Sequence, residues 1–323
     1  MQKLVIHLLN AMQAIGAFMG ASSTPITEYQ ALIEKRVKER LELQKADNKP
    51  EHSESKHHDF FHYLLEAKDP ETGQALSTIE LVNNASLLVG AGYDTSAATM
   101  DTCLWYLTHN PEVLHKVQTK LRQTFTNVEE IRASSMLSSS QAYLRACIDE
   151  SLRMSSPVLG VLDRIVLKGG MIIDGHIVPA GTTVSVPIYA IHHNESYYPD
   201  AWSFKPERWI GTEEHDVSNH EQVALARKAL FAFSAGPRVC IGKNLAYMDM
   251  MIALGRLLYT FDIELAADMR DGAGDPSLPA ASGRHRIQEY QLEDWFLNRR
   301  VGTKVKFRVA VQEKRDCNQV GAE

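Results

Sequence analysis

The sequence predicts a mainly α-helical fold with small β-sheets in its second half, an α+β class. Three observations carry this. Ser77-Thr78-Ile79-Glu80 has the spacing of a helix-opening capping box, and an apolar-rich run follows to about His109. Asp174-Gly175 stands between two stretches of apolar β-formers within residues 171–188, which signals a hairpin. Val305, Phe307, Val309 and Val311 alternate with Lys306, Arg308 and Ala310, the period of a half-exposed strand.

The remaining elements follow in order. Residues 1–21 are apolar-rich after a lone Lys3, but His7, Asn10 and Gln13 interrupt them, which favours a helix of the fold over a targeting or anchoring segment. Residues 27–45 read as a charged amphipathic helix and 46–58 as a polar loop. A short apolar helix, 59–67, ends at the DPETG turn of 69–73. The long helix after Ser77 is apolar enough to be central to the core, though VGAGYDTSA (89–97) breaks its apolar run. Pro111 opens a helix to about Phe125, and another spans about Ser140 to Met154, closed by Pro157. Residues 192–212 are irregular, 240–261 form a last long helix, 268–285 a loop, and the tail after Glu313 is polar and frayed. One domain over residues 1–323 is expected: helical to 156, mixed sheet and loop over 157–311, then the tail 312–323.

Composition narrows the function classes. A chain 44% hydrophobic and 23% charged is that of a globular protein with a sizeable core. Lys plus Arg is 34 against 40 Asp plus Glu, so no basic patch for nucleic acid is expected. No two of Cys103, Cys147, Cys240 and Cys317 form C-x-x-C, which speaks against a zinc site or a disulfide framework and fits a reducing compartment. His57–His58 and His192–His193 lack metal-site spacing and read as surface residues.

The strongest local signal is FAFSAGPRVCIG, Phe231 to Gly242. Cys240 stands at the end of a loop shaped by Gly and Pro and opens the last helix. Backbone N–H groups and the helix dipole there favour a thiolate. Gly236 and Gly242 allow tight turns and close approach to a flat ligand. Arg238 can offer a positive group to a carboxylate. Such a thiolate can be an axial ligand of haem iron; a buried structural cysteine is the other reading. Phe233, Gly236, Arg238, Cys240 and Gly242 match the haem-ligand pattern F-x-x-G-x-R-x-C-x-G at every defined position, and in this the chain resembles the cytochrome P-450 family.

The resemblance assigns further residues. Glu150 and Arg153 share a helix face at i, i+3, which alone is a common surface pair. With Arg208 of FKPERW (204–209) they match the family's buried triad, whose implied role is structural, holding the cysteine loop. Ala91 to Ser96, AGYDTS, is similar to the family's oxygen-activation motif. It implies room at Gly92, a hydroxyl at Thr95 and a proton relay at Asp94; taken alone it is a Gly-kinked helix whose Thr bonds its own backbone. Arg164 sits where relatives bind a haem propionate, although Asp163 precedes it where many relatives have Pro; a surface Arg is the alternative.

The resemblance runs from about residue 28 to 311 and includes HDFFHYLLEAKDPETG, YAIHHNESYYPDAW and EYQLEDWF. It looks most like fungal microsomal members. It implies a haem monooxygenase that inserts one atom of dioxygen into an apolar organic substrate, in fungal secondary metabolism or xenobiotic oxidation. NADPH would supply electrons through a partner reductase, at the cytoplasmic face of the endoplasmic reticulum membrane. Full members carry an anchor, early strands and pocket-roofing helices before the oxygen helix, so the chain is expected to be incomplete at its N-terminus. Two further readings stand beside this one. The first is a catalytically inactive haem-binding remnant. The second is an isomerase or dehydratase on the same fold, which Asp94 and Thr95 oppose because such enzymes deliver no proton to dioxygen.

Overall fold

The computed structural model describes residues 24–47, 59–138, 141–211, 217–266 and 272–311. The expectations for residues 1–21, for most of the loop at 46–58 (with His57 and His58) and for the tail after Glu313 lie outside them. The described residues form two compact units, one ending at Asp94 and the other beginning at Thr95.

The first unit holds α1 (Thr24–Asp47), α2 (Phe60–Glu66) and the start of α3 (Thr78–His109). Ile33 and Val37 of α1 bury against Leu81, with Tyr29, Phe61 and Leu65 packed around them. Tyr29 donates to the Ser86 carbonyl at 2.7 Å. The α3 N-terminus has the reciprocal bonds its sequence predicts. Ser77 N–H donates to Glu80 Oε2 at 2.7 Å, and Glu80 N–H to Ser77 Oγ at 3.3 Å.

α3 is one continuous helix through Val89–Ala97, as its sequence predicts, because an interior glycine costs only about 1 kcal/mol and a long helix tolerates it. The expectation that it is central to the core needs correction: Val89 is 50% and Tyr93 77% exposed, whereas Cys103, Trp105, Tyr106 and Leu107 are fully buried. Burial is concentrated in the second half, where Ala98, Thr99, Thr102, Cys103 and Trp105 to Leu107 are covered.

That half belongs to the second unit. Trp105 stacks on Tyr290 at 5.0 Å and Tyr106 on Phe204 at 5.0 Å. Around them pack α4 (Pro111–Thr124), α5 (Ala133–Met136), α6 (Ala142–Met154) and α9 (Lys243–Thr260). A β-carbon at Gly255 would stand 2.7 Å from Met136 Cε, so glycine sets the approach of α5 to α9. Arg122 of α4 donates to the carbonyls of Leu258, Tyr259 and Phe261, a cation on the C-terminal end of α9.

Three two-stranded antiparallel sheets complete the described part: β1 (Arg164–Ile165) with β4 (Thr183–Val184), β2 (Met171–Ile173) with β3 (His176–Val178), and β5 (Phe261–Leu265) with β6 (Val305–Val309). The β2–β3 turn is Asp174-Gly175, with φ of 48° and 77°, the two left-handed residues a tight hairpin requires. β6 forms where its sequence indicates, but it is not half-buried: Val305 is partly covered, while Phe307 and Val309, on the same side, are 48% and 73% exposed. Its partner β5 follows α9 without a loop, and the sequence shows only helix there. Between β4 and α9 lie α7 (Ile188–His192), a 3-10 turn at Pro206–Trp209, and α8 (Val217–Ala229), which sequence patterning left unassigned.

His192 and His193 are not surface residues: they are 0% and 8% exposed. The apolar face of α7 carries them inward, His192 one turn after the buried Ile188. His193 stacks on Trp202 at 4.4 Å and pairs through Nδ1 with the Tyr189 carbonyl at 2.9 Å.

Candidate functional site

The segment before α9 folds back on itself. Ser234 and Gly236 take left-handed φ values of 61° and 71°, and Ser234 N–H donates to the Phe231 carbonyl at 2.8 Å. Gly236–Arg238 form one 3-10 turn, and Cys240 N–H then donates to the Phe233 carbonyl at 2.9 Å. This brings Cys240 and Phe233 together across the loop. Gly242 is the N-cap of α9 with an ordinary φ of −82°, so the tight turn belongs to Ser234 and Gly236 and not to Gly242. The helix starts at Lys243, which leaves Cys240 just ahead of its N-terminal turn.

Cys103 and Cys147 are buried, and burial pushes the Cys103 thiol up to about 12 and the Cys147 thiol well above the usual thiol range. Cys240 is exposed, between Val239 (47% exposed) and Ile241 (95%). An accessible soft sulfur donor ringed by exposed apolar side chains is the donor chemistry a flat, apolar iron macrocycle takes. A β-carbon on Gly242 would lie 3.8 Å from Cys240 Sγ, so backbone can pass close beside the sulfur. Phe233 packs on Tyr247 of α9 at 5.0 Å, and Arg238 is exposed on the 3-10 turn. The residues present fit haem.

A heavily bonded buried group in the second unit centres on Glu150 and Arg153. Arg153 donates from Nε to Glu150 Oε2 at 2.9 Å and from Nη2 to Oε1 at 2.8 Å. Arg208 Nε reaches the same carboxylate at 2.9 Å, as do Trp209 Nε1 at 2.9 Å and Lys205 N–H at 3.0 Å. Arg153 Nη1 donates to the carbonyls of His192 and Ala201, both at 2.8 Å. Glu150 and Arg153 are fully buried. Burial alone would raise the Glu150 carboxyl, but Arg153 and Arg208 outweigh it and hold it below the usual carboxylate range. Trp209 was not singled out by the sequence, although it closes the same FKPERW segment that supplies Arg208.

A second buried carboxylate is adjacent. Asp149 accepts from Tyr247 at 2.7 Å and pairs with Arg145 at 3.2 Å; burial exceeds these contacts and raises its pKa. It ties α6 to α9 next to Phe233.

Arg164 is exposed and donates to its neighbours' carbonyls, Leu162 at 3.0 Å and Asp163 at 2.9 Å, and not to the Asp163 carboxylate. It does line one open cavity of about 720 Å³ with Phe231, Ser234 and Ala235, the start of the cysteine loop. Gly92 and Asp94 lie in the first unit, on the exposed stretch of α3, where an added β-carbon at Gly92 would meet nothing within 4 Å. Thr95 begins the second unit and accepts from Thr99 Oγ1 through its carbonyl at 2.9 Å. No helix among the described residues is long and apolar enough to cross a membrane.

The family model for cytochrome P-450 matches residues 2–278. Curated relatives include fungal proteins. A cytochrome P-450 monooxygenase of Gibberella zeae is 37% identical over 77% of this chain and 56% of its own length. The monooxygenase apf7 of Gibberella fujikuroi is 40% identical over 74% of this chain and 45% of its own. AKT7 of Alternaria alternata is 36% identical over 77% and 48%. The chain spans about half the length of the curated relatives it matches.

Proposed function

The chain belongs to the cytochrome P-450 family, and from that premise we propose that it is the haem-binding part of a monooxygenase that inserts one atom of dioxygen into an apolar organic substrate. The observation that carries this is the exposed Cys240 thiol, held at the end of a doubly turned loop ahead of α9, while the other cysteines described are buried. In this reading Cys240 would hold the haem iron through its sulfur. Arg238 and Arg164 would take the propionates, and Phe233 would lie against the macrocycle. When bound, the haem supplies the site at which dioxygen is activated.

This chain's residues manage charge and protons around that site. The loop presents the accessible Cys240 sulfur just ahead of the α9 N-terminus. Thr95 Oγ1 and the Asp94 carboxylate form a relay that delivers protons from solvent; the exposure of α3 from Val89 to Asp94 gives that relay its access. Glu150, Arg153 and Arg208 hold the loop from behind and take no part in chemistry. Electrons come from NADPH through a partner reductase, at the cytoplasmic face of the endoplasmic reticulum, in fungal secondary metabolism or xenobiotic oxidation.

The test is spectroscopic. The chain is loaded with haem, reduced and exposed to carbon monoxide. A red-shifted Soret band of thiolate ligation is expected, and Cys240→Ser should abolish it. A band of histidine ligation, or no haem uptake by a folded sample, would overturn the assignment. Haem uptake with no turnover by a chain restored to its relatives' length would favour the inactive remnant.

Thr95→Ala should uncouple that restored enzyme. Gly92 and Cys240 are untouched, so NADPH consumption continues. Product per NADPH falls and hydrogen peroxide rises, by about tenfold or more if the hydroxyl carries the proton. Unchanged coupling would make Thr95 a helix residue only.

A further inference from the structure

We propose that His192 is a positioning residue that ties the start of the cysteine loop to the Glu150–Arg153 centre. The proposal rests on reading Cys240 as the ligand-bearing residue. His192 faces both ways. Its carbonyl accepts from Arg153 Nη1 at 2.8 Å, and its ring Nε2 accepts from Phe231 N–H at 2.9 Å. Among the described residues Phe231 N–H has no other acceptor. From Phe231 the connection to the sulfur is short: Phe231 O accepts from Ser234, and Phe233 O accepts from Cys240.

Nε2 can accept only as an unprotonated nitrogen, so the ring hydrogen sits on Nδ1. Burial, with Arg153 and His193 alongside, drives the pKa down to about 3 and keeps the ring in that form. Nδ1 is buried and has no partner among the described residues. A buried donor left unpaired is a cost, so the contribution of this ring to the fold comes through its other nitrogen. Trp209 and Lys205 bond the Glu150 carboxylate itself; His192 is the member of the centre that reaches the loop.

Amide hydrogen exchange of the whole 323-residue chain tests this on wild type, His192→Asn and His192→Gln. A Gln side chain places its amide near the position of Nε2, whereas Asn stops near Nδ1. In His192→Asn, residues 230–240 should exchange about tenfold faster, the worth of one buried hydrogen bond, while α6 keeps its protection. His192→Gln should return the loop to within about threefold of wild type. The thiolate-type Soret band of the haem-loaded, reduced, carbon monoxide-bound chain should weaken in Asn and recover in Gln. Unchanged loop exchange in Asn, equal loosening of α6 and loop, or a Gln variant as loose as Asn would each overturn the proposal. A wild type that takes no haem would refute the reading of Cys240, and the exchange ratios would still decide the role of His192.

Discussion

Replacing Glu150 by alanine should lower the stability of the chain by about 3–5 kcal/mol, the cost of breaking a buried ion pair from one side. The carboxylate accepts from Arg153 Nε and Nη2, Arg208 Nε, Trp209 Nε1 and Lys205 N–H. Its removal leaves the Arg153 guanidinium at 0% exposure with backbone carbonyls and the Tyr198 ring, and no counter-charge of its own, for partners. Arg208→Ala should cost less. Glu150 then keeps Arg153, Trp209 and the Lys205 amide, and the carbonyls of Pro199 and Asp200 that Arg208 serves lie near the surface. Urea unfolding at neutral pH, compared at constant slope, gives the ranking. A Glu150→Ala midpoint within about 1 kcal/mol of wild type would show the group to be dispensable. Haem content separates structure from chemistry: both variants should lose haem in step with stability. Normal haem content with lost turnover would contradict a purely structural role.

Legibility followed the range of the interactions. The α3 capping box and the Asp174-Gly175 turn are made within a few residues, and short sequence windows displayed them. The cysteine loop is also local, twelve residues from Phe231 to Gly242, so its shape could be read before its geometry was known. Grouping Glu150 with Arg208 needed a family pattern, because 58 positions separate them and no periodicity links them. Trp209 goes unread, and His192 reads as a surface residue, for a related reason. An indole at the end of FKPERW looks like packing, and two adjacent histidines look polar unless the burial of α7 is known. The ties of Asp101 to Arg300 at 2.9 Å and to Thr303 N–H at 2.8 Å hold α3 to the last loop across some two hundred positions. No sequence window contains both ends. The exposed middle of α3 misled for the opposite reason: apolar composition predicts what a face prefers, not whether a neighbour covers it.

The buried histidine pair makes the chain acid-labile well above the range where carboxylates titrate. Burial is the first cause for both rings: the His192 pKa falls from 6.5 to about 3, and that of His193 from 6.5 to about 4. Both are therefore neutral in the fold at pH 5, while the unfolded chain binds their protons from about pH 6.5 down. Because the unfolded state then holds more protons, stability falls as pH drops. Between pH 7.5 and 5 each ring should cost about 2 kcal/mol, roughly 4 together. His109 adds to the slope, since burial lowers its pKa too. Asp149 opposes it: its raised pKa means the fold takes up that proton before the unfolded chain does. Glu150, with its pKa lowered, acts later, since its contribution is lost only as pH falls through a value beneath the ordinary 4.5. The window from pH 7.5 to 5 therefore belongs mainly to the histidines. Urea midpoints across that window should fall steeply for wild type. A His192→Gln, His193→Gln double variant should show a much flatter line, whatever its absolute stability. Equal slopes for the two proteins would mean that these rings take up protons in the folded chain, and that Phe231 N–H is held by something other than a neutral imidazole.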